Sequence, residues 1–400
     1  MRRTFRGLVT SSAPGLLAFL VLACGGNGKK TTEPTPDPRA PAATRTFTHG
    51  LLSMNIRNTG AGRTGAQGSS EGIAIHSNGR SLFYDHGLWI GAKVGGGVRV
   101  TAGSFYDHEG SALAIDDTHP CLVYFVEPDD HEGVADFDQW PSSIGAPLDD
   151  LDHPRLFGAR TAWTAYDDTD AALHTVFATA PLQAEIRQTV WAEEDGSLDL
   201  SGTMFVRVDV TNTSSAAWTD AYIGVWADPD LGQPDNDLVG CDAVQGLGYA
   251  YTFHEIPETT FGGKQPAAGI RLLKLPPGGT FYAFPRMYES SNVPADGAEA
   301  YRLLSGLNVD GTALIDSTHF HETKYWASGD PVGGTGTRER WPGDRRFLMS
   351  VGSLNVAAGA TVSVTYAVLF VTDAEPRPAL TKLIILANAV GGRPDLWDLP

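Results

Sequence analysis

Eleven residues near the C-terminus, Thr361-Val-Ser-Val-Thr-Tyr-Ala-Val-Leu-Phe-Val371, carry an apolar side chain at every second position. Successive side chains of a strand point to opposite faces, so this run specifies a β-strand rather than a helix. The same pattern recurs upstream. In Thr203-Met-Phe-Val-Arg-Val-Asp-Val-Thr211, Met204, Val206, Val208 and Val210 alternate with Phe205, Arg207 and Asp209. Asn212-Thr-Ser-Ser215 then turns the chain into Tyr222-Ile-Gly-Val-Trp226. Ser77-Asn78-Gly79 separates Ile73–His76 from Leu82–Tyr84, and Gly95-Gly96-Gly97 joins Gly87–Val94 to Val98–Val100 as a hairpin. Cys121–Val126 is continuously apolar, as in a strand buried on both faces. Helix is scarce: only Arg377 to Val390 places Leu380, Leu383, Ile384 and Ala387 at helical spacing, before Gly391-Gly392. With 46 Gly and 25 Pro punctuating short strands, the pattern predicts an all-β chain, a large two-sheet β-sandwich with one C-terminal helix. No internal repeat separates this from two consecutive sandwiches dividing near residues 180–200, and the single body over residues 47–400 is preferred.

The N-terminus reads as an address. Arg2, Arg3 and Arg6 precede the mostly apolar Gly15–Ala23, and Cys24 follows at once. A basic start, a short apolar core and a small residue before the cut form a secretory signal. Val21-Leu22-Ala23-Cys24 resembles the lipobox of bacterial lipoproteins, which implies residues 1–23 as a signal peptide and lipidation at Cys24. Gly25 follows, where an Asp would be the usual inner-membrane retention cue. Residues 24–46 are rich in Pro, Gly and Thr without an apolar pattern, as in a flexible tether. A lipid anchor on Cys24 is then the expected membrane partner. Removing residues 1–23 takes away three of 29 Lys+Arg and none of 47 Asp+Glu, moving the formal charge from -18 to about -21. Such acidity argues against a nucleic-acid partner.

The sharpest local constellation is Asp228 to Asp242, where Asp228, Asp230, Asp235, Asp237 and Asp242 are interleaved with Pro229, Gly232, Pro234 and Gly240. Calcium takes six to eight oxygen ligands, and a turn-rich acidic loop can wrap it. The offsets are not those of an EF-hand. Structural Ca2+ at these five aspartates competes with a solvated turn and with a catalytic carboxylate pair. The acids between Glu127 and Asp152 read as a solvated loop. His319 and His321 would share one face of a strand, a zinc-compatible pair with no third ligand signalled by spacing. Cys121 and Cys241 are expected as buried free thiols rather than a disulfide. Most of the nine Trp should be buried, with one or two exposed and able to stack on sugar rings.

Several stretches are familiar in combination: Gly87–Gly91, Asp138–Pro141 with Gly145–Pro147, Trp226–Gly232 through Asp237–Asp242, Ser328–Val332, and Asp344–Ser350. Together the chain resembles a broad set of uncharacterised secreted β-rich proteins of environmental Gram-negative bacteria. Many of those carry a C-terminal gliding-type secretion sorting domain, which is not seen before Pro400. The resemblance implies a surface location and supports the aspartate loop, but supplies no catalytic residues. The resulting expectation is a lipoprotein of the outer membrane or cell surface with a calcium-stabilised sandwich. Its role would be non-enzymatic: adhesion, assembly, or binding of a glycan or surface protein. The alternative is a secreted carbohydrate-active enzyme, a glycoside hydrolase or lyase using acidic residues in a sheet groove.

Overall fold

A computed structural model describes residues 43–63, 71–288 and 290–399. The signal peptide 1–23, Cys24 and the tether as far as residue 42 lie outside the described residues. The described chain is mostly β, in two nine-stranded antiparallel sheets. Sheet one runs Thr44–His49, Leu52–Arg57, Ile73–Ile75, Ser81–Val94, Trp218–Pro229, Arg345–Val356 and Thr280–Ala283, with Gly97–Ala102 beside Ser81–Val94 and Met287–Tyr288 beside Arg345–Val356. Sheet two runs Asp237–Asp242, Leu247–Thr252, Gln265–Lys274, Thr361–Asp373, Thr203–Asn212, Ala184–Ala192, Arg160–Asp167 and Ser111–Ala112, with Tyr124–Val126 also beside Arg160–Asp167. The Ala184–Ala192 segment, considered above as a domain junction, is an interior strand. Among the described residues the first strand begins at Thr44, three residues before Phe47, so the last residues assigned to the tether join sheet one.

Alternation explains how the sheets meet. Met204, Val206, Val208 and Val210 face Ile223, Val225, Met349 and Val351 in one core between the sheets, while Phe205 points to the other side of its sheet. Both outer faces are covered as well. The helix Pro376–Gly391 lays Leu380, Leu383, Ala387 and Val390 over Trp191, Phe205, Leu247 and Tyr249 of sheet two. A second helix, Gly297–Leu304, covers Trp89, Tyr222, Trp226 and Leu348 of sheet one. This helix was not foreseen; its eight residues are too few for a clear helical period. Because both faces are buried, the central strands read as near-continuous apolar runs.

Local chemistry joins the sheets. The buried Asn212 side chain donates to the Val356 carbonyl at 3.1 Å and to the Ala216 carbonyl at 2.9 Å, and accepts from Ser214 N–H at 3.0 Å. A Thr-Ser-Ser turn can thus pass from one sheet to the other without orphaning polar groups. At the edge of sheet two, Cys241 N–H donates to the Ala327 carbonyl and Gly343 N–H to the Asp237 carbonyl, both at 3.1 Å. The expected strand Cys121–Val126 is shorter, Tyr124–Val126, because residues 121–123 leave the ladder.

Cys121 and Cys241 are buried and unpaired, and burial raises the pKa of both thiols. They sit in separate apolar clusters. Neither should react with a water-soluble disulfide reagent in the native protein, and both should react in denaturant. Mass spectrometry of the labelled peptides checks this; native labelling at either position would contradict it.

Candidate metal centre

Three strands of sheet one build the site. Asp228 ends the run Tyr222, Gly224, Trp226 on the outer face, directly across from Asp85. On its other side, Arg346 lies one residue beyond the Ala227–Phe347 pair. Two buried aspartates are therefore cross-strand neighbours, a repulsive arrangement unless cations or hydrogen bonds answer it. Asp85 is answered locally: Ser104 Oγ, His86 N–H and Tyr106 N–H all donate to it.

Asp228 is answered in part. Its Oδ2 accepts from the Tyr106 hydroxyl at 2.6 Å and lies 3.3 Å from Arg346 Nε. Arg346 also donates to the Tyr106 hydroxyl and lies 3.6 Å from Asp344. The other oxygen of Asp228, Oδ1, is buried without a hydrogen-bond partner among the described residues. Asp230 makes no side-chain hydrogen bond or ion pair among the described residues. Asp228, Asp230 and Asp344 bring one ligand oxygen each to within 4.8 Å of the others. Burial pushes the Asp228 carboxyl up to about 7 against the pull of Arg346. Burial, then the charge of Asp228, takes Asp230 up to about 8. This acidic cluster could hold a metal ion.

The loop that presents Asp230 is tightly braced. Buried Glu258 accepts from Gln233 N–H at 2.9 Å, and Asn236 Nδ2 donates to the Ile256 carbonyl at 3.0 Å. Gly232 has φ +86°, and a Cβ there would lie 2.5 Å from Thr260 Oγ1 and 2.8 Å from the Glu258 carboxyl carbon. Only glycine fits.

Of the five aspartates read from sequence, Asp228 and Asp230 enter the cluster. Asp237 is fully buried, its Oδ2 accepting from Leu231 N–H at 2.9 Å, and burial raises its pKa well above the usual carboxylate range. Asp235 is exposed, and Asp242 accepts from the Val244 and Gln245 amides of its own turn. Asp344, more than a hundred residues away in sequence, is the member that spacing missed. Its signal was the Asp344–Ser350 stretch, which had been noted only as part of a resemblance.

His319 and His321 do not share a strand face: residues 317–319 form a turn, and Asp316 is the third member of their group. Asp316 lies 3.0 Å from His319 Nδ1 and 4.0 Å from His321 Nε2, and its Oδ1 accepts from the Thr318 and His319 amides. Both imidazoles are more than half exposed. Of the acids of 127–152, Asp130, Asp138 and Asp149 accept amides of their own turns, while Asp136 pairs with Arg45 and Glu127 with Arg160. A further constellation, unforeseen, is the buried Glu109–His174–Asp168 group. Its imidazole lies 3.8 and 3.5 Å from the two carboxylates, each of which accepts two backbone N–H groups. That group pins residues 168–184 to the sandwich.

No protein-family model matches the chain, and no curated protein matches it in sequence. Among solved structures it is similar to one titled a polysaccharide lyase, at 10% identity and a TM-score of 0.30, over 85% of this chain. This chain spans 35% of that protein's length. Among the described residues no helix is long and apolar enough to cross a membrane.

Proposed function

We propose that this is a lipid-anchored protein of the outer membrane or cell surface, braced by calcium at Asp228, Asp230 and Asp344, that acts by binding rather than catalysis. The observation that carries the calcium reading is the buried, unpartnered Asp228 Oδ1 beside the unpaired Asp230. Leaving such an oxygen unsatisfied is costly, and a cation answers it. Three carboxylates and the Arg346 guanidinium carry a net formal charge of -2, matched by one divalent ion. Calcium would supply that charge, with water or main-chain oxygen completing its shell.

Calcium should raise the melting temperature, and a chelator should lower it. At a free concentration a hundredfold above Kd the gain is about 2.7 kcal/mol. Asp230→Ala with Asp344→Ala should abolish the difference. Protons compete for the same oxygens, which fixes the sign with pH. The folded carboxyls titrate near 7 and 8, above their unfolded value near ~4. Without calcium their contribution is present below the unfolded pKa and is lost as pH rises through the folded pKa. The calcium increment should therefore be larger at about pH 8.5 than at about pH 5.5. Superimposable melting curves with and without chelator at both pH values would reject the reading.

One observation favours the enzyme alternative. A carboxyl held near neutrality beside a tyrosine and an arginine is equipped for general acid work. Shortened products from a polysaccharide, lost in Asp228→Asn but not on chelation, would decide for it.

A further inference from the structure

A second site lies away from the aspartates. At the edge of sheet two, an open cavity of about 310 Å³ is lined by Leu238, by Tyr251 and Phe253, by the 331–340 loop and by the first turn of the C-terminal helix. Three arginines line it: Arg338, Arg340 and Arg377. In a chain with 47 acidic against 29 basic residues, arginines have carboxylates in excess to choose from. Yet none of these three makes an ion pair among the described residues, and Arg338 Nε is buried without a hydrogen-bond partner.

Two acids also face the cavity, and they do not cancel this charge. Glu339 is already engaged: Arg345 Nε and the Tyr288 hydroxyl each donate to it at 3.1 Å, as do the Arg340 and Trp341 amides at 3.1 and 3.3 Å. Glu255 is exposed at the rim. Pro376 opens the helix, whose N-terminal end adds partial positive charge. Burial pushes the Tyr251 phenol up to about 12 while Arg338 and Arg377 pull it down, so both guanidinium charges bear on one wall.

Beside Thr252 and His254, the remaining walls are apolar or aromatic. Leu238, Tyr251, Phe253 and Pro376 contribute to them. The volume equals that of about ten waters in the liquid. A bare inorganic anion would leave most of it to solvent, whereas a sugar ring occupies it. Guanidinium forks match planar carboxylates, and aromatic faces suit the apolar faces of sugar rings.

We propose that this cavity binds a carboxylated saccharide, with Arg338 and Arg377 on the carboxylate and Phe253 against the ring. The proposal rests on the reading of the protein as a binding module and adds the class of ligand. Calorimetric titration of the full chain should use a hexuronate oligosaccharide, the neutral hexose oligosaccharide of the same linkage, and inorganic sulfate. The uronate should bind about tenfold or more tightly than either comparison. Arg338→Gln with Arg377→Gln should remove that preference with the melting temperature unchanged. Should the double variant unfold, Arg377→Gln alone, on an exposed residue, should still lose several-fold. Equal binding of the neutral sugar or of sulfate, or unchanged affinity in the arginine variants, would overturn the proposal. Release of shortened products would overturn the binding-only reading and leave the ligand class standing. Absence of uronate binding, with calcium still raising the melting temperature, would overturn the cavity assignment alone.

Discussion

Trp226→Ala is expected to lower the unfolding free energy by about 3–5 kcal/mol, the range for emptying a buried aromatic site. Trp226 is fully buried and stacks on Trp89 with ring centroids 5.8 Å apart and planes 8° from parallel. Phe105 meets its edge at 5.6 Å. Its indole nitrogen has no hydrogen-bond partner among the described residues, so the loss comes from packing and the cavity rather than from an orphaned acceptor. Trp226→Phe keeps a ring in place and should cost clearly less. The effect should reach the metal centre, because Asp228 lies two residues along the same face and Tyr106 packs at 6.3 Å from the Trp226 ring. Urea unfolding with and without calcium measures both consequences. A loss below about 1 kcal/mol would mean that this stack does not organise the outer face of sheet one.

Arg346→Met should be comparably severe, about 3–5 kcal/mol in the presence of chelator at pH 8. The Arg346 and Asp228 side chains are only 5% and 3% exposed. Removing the guanidinium strands a buried carboxylate and takes a donor from Tyr106. Adding Asp228→Asn should recover much of the loss, since the stranded charge goes with it. The pH dependence has a definite sign. Without Arg346 the folded carboxyl titrates higher still, so protonation relieves the penalty at low pH and ionisation restores it as pH rises. The variant should be closer to wild type at pH 5 than at pH 8, and calcium should narrow the gap at pH 8. Additive losses in the double variant would show that Arg346 acts through its own packing instead.

Much of the architecture was legible in the chain because period-two alternation is a local property. Thr203–Asn212, Thr361–Asp373 and the helix Pro376–Gly391 appear almost where their patterns place them. What was hidden depends on contacts distant in sequence. Gly297–Leu304 is recognised as a covering helix only once Trp89, Trp226 and Leu348 are known to share a face. The aspartate loop was visible as a composition, but its members parted by register. Asp228 and Asp230 leave a strand end on the outer face, Asp237 turns inward, and Asp242 caps a turn. Asp344 joins them through the pairing of Trp218–Pro229 with Arg345–Val356, a relation that spacing along the chain does not encode. The arginine cavity was invisible for the same reason: Arg338 and Arg377 come from different elements and meet at Tyr251.

The contacts of Ala327 and Gly343 with the edge strand Asp237–Asp242 have a consequence for self-association. An open edge offers unpaired amides and carbonyls to any other extended chain and is a common start for aggregation. Here Cys241 N–H and the Asp237 carbonyl are already taken by those two loop residues. The segment that occupies the edge also leads into Asp344 and carries Arg338. Loosening it would expose a template for intermolecular strand addition at the same moment as it dismantles both candidate sites.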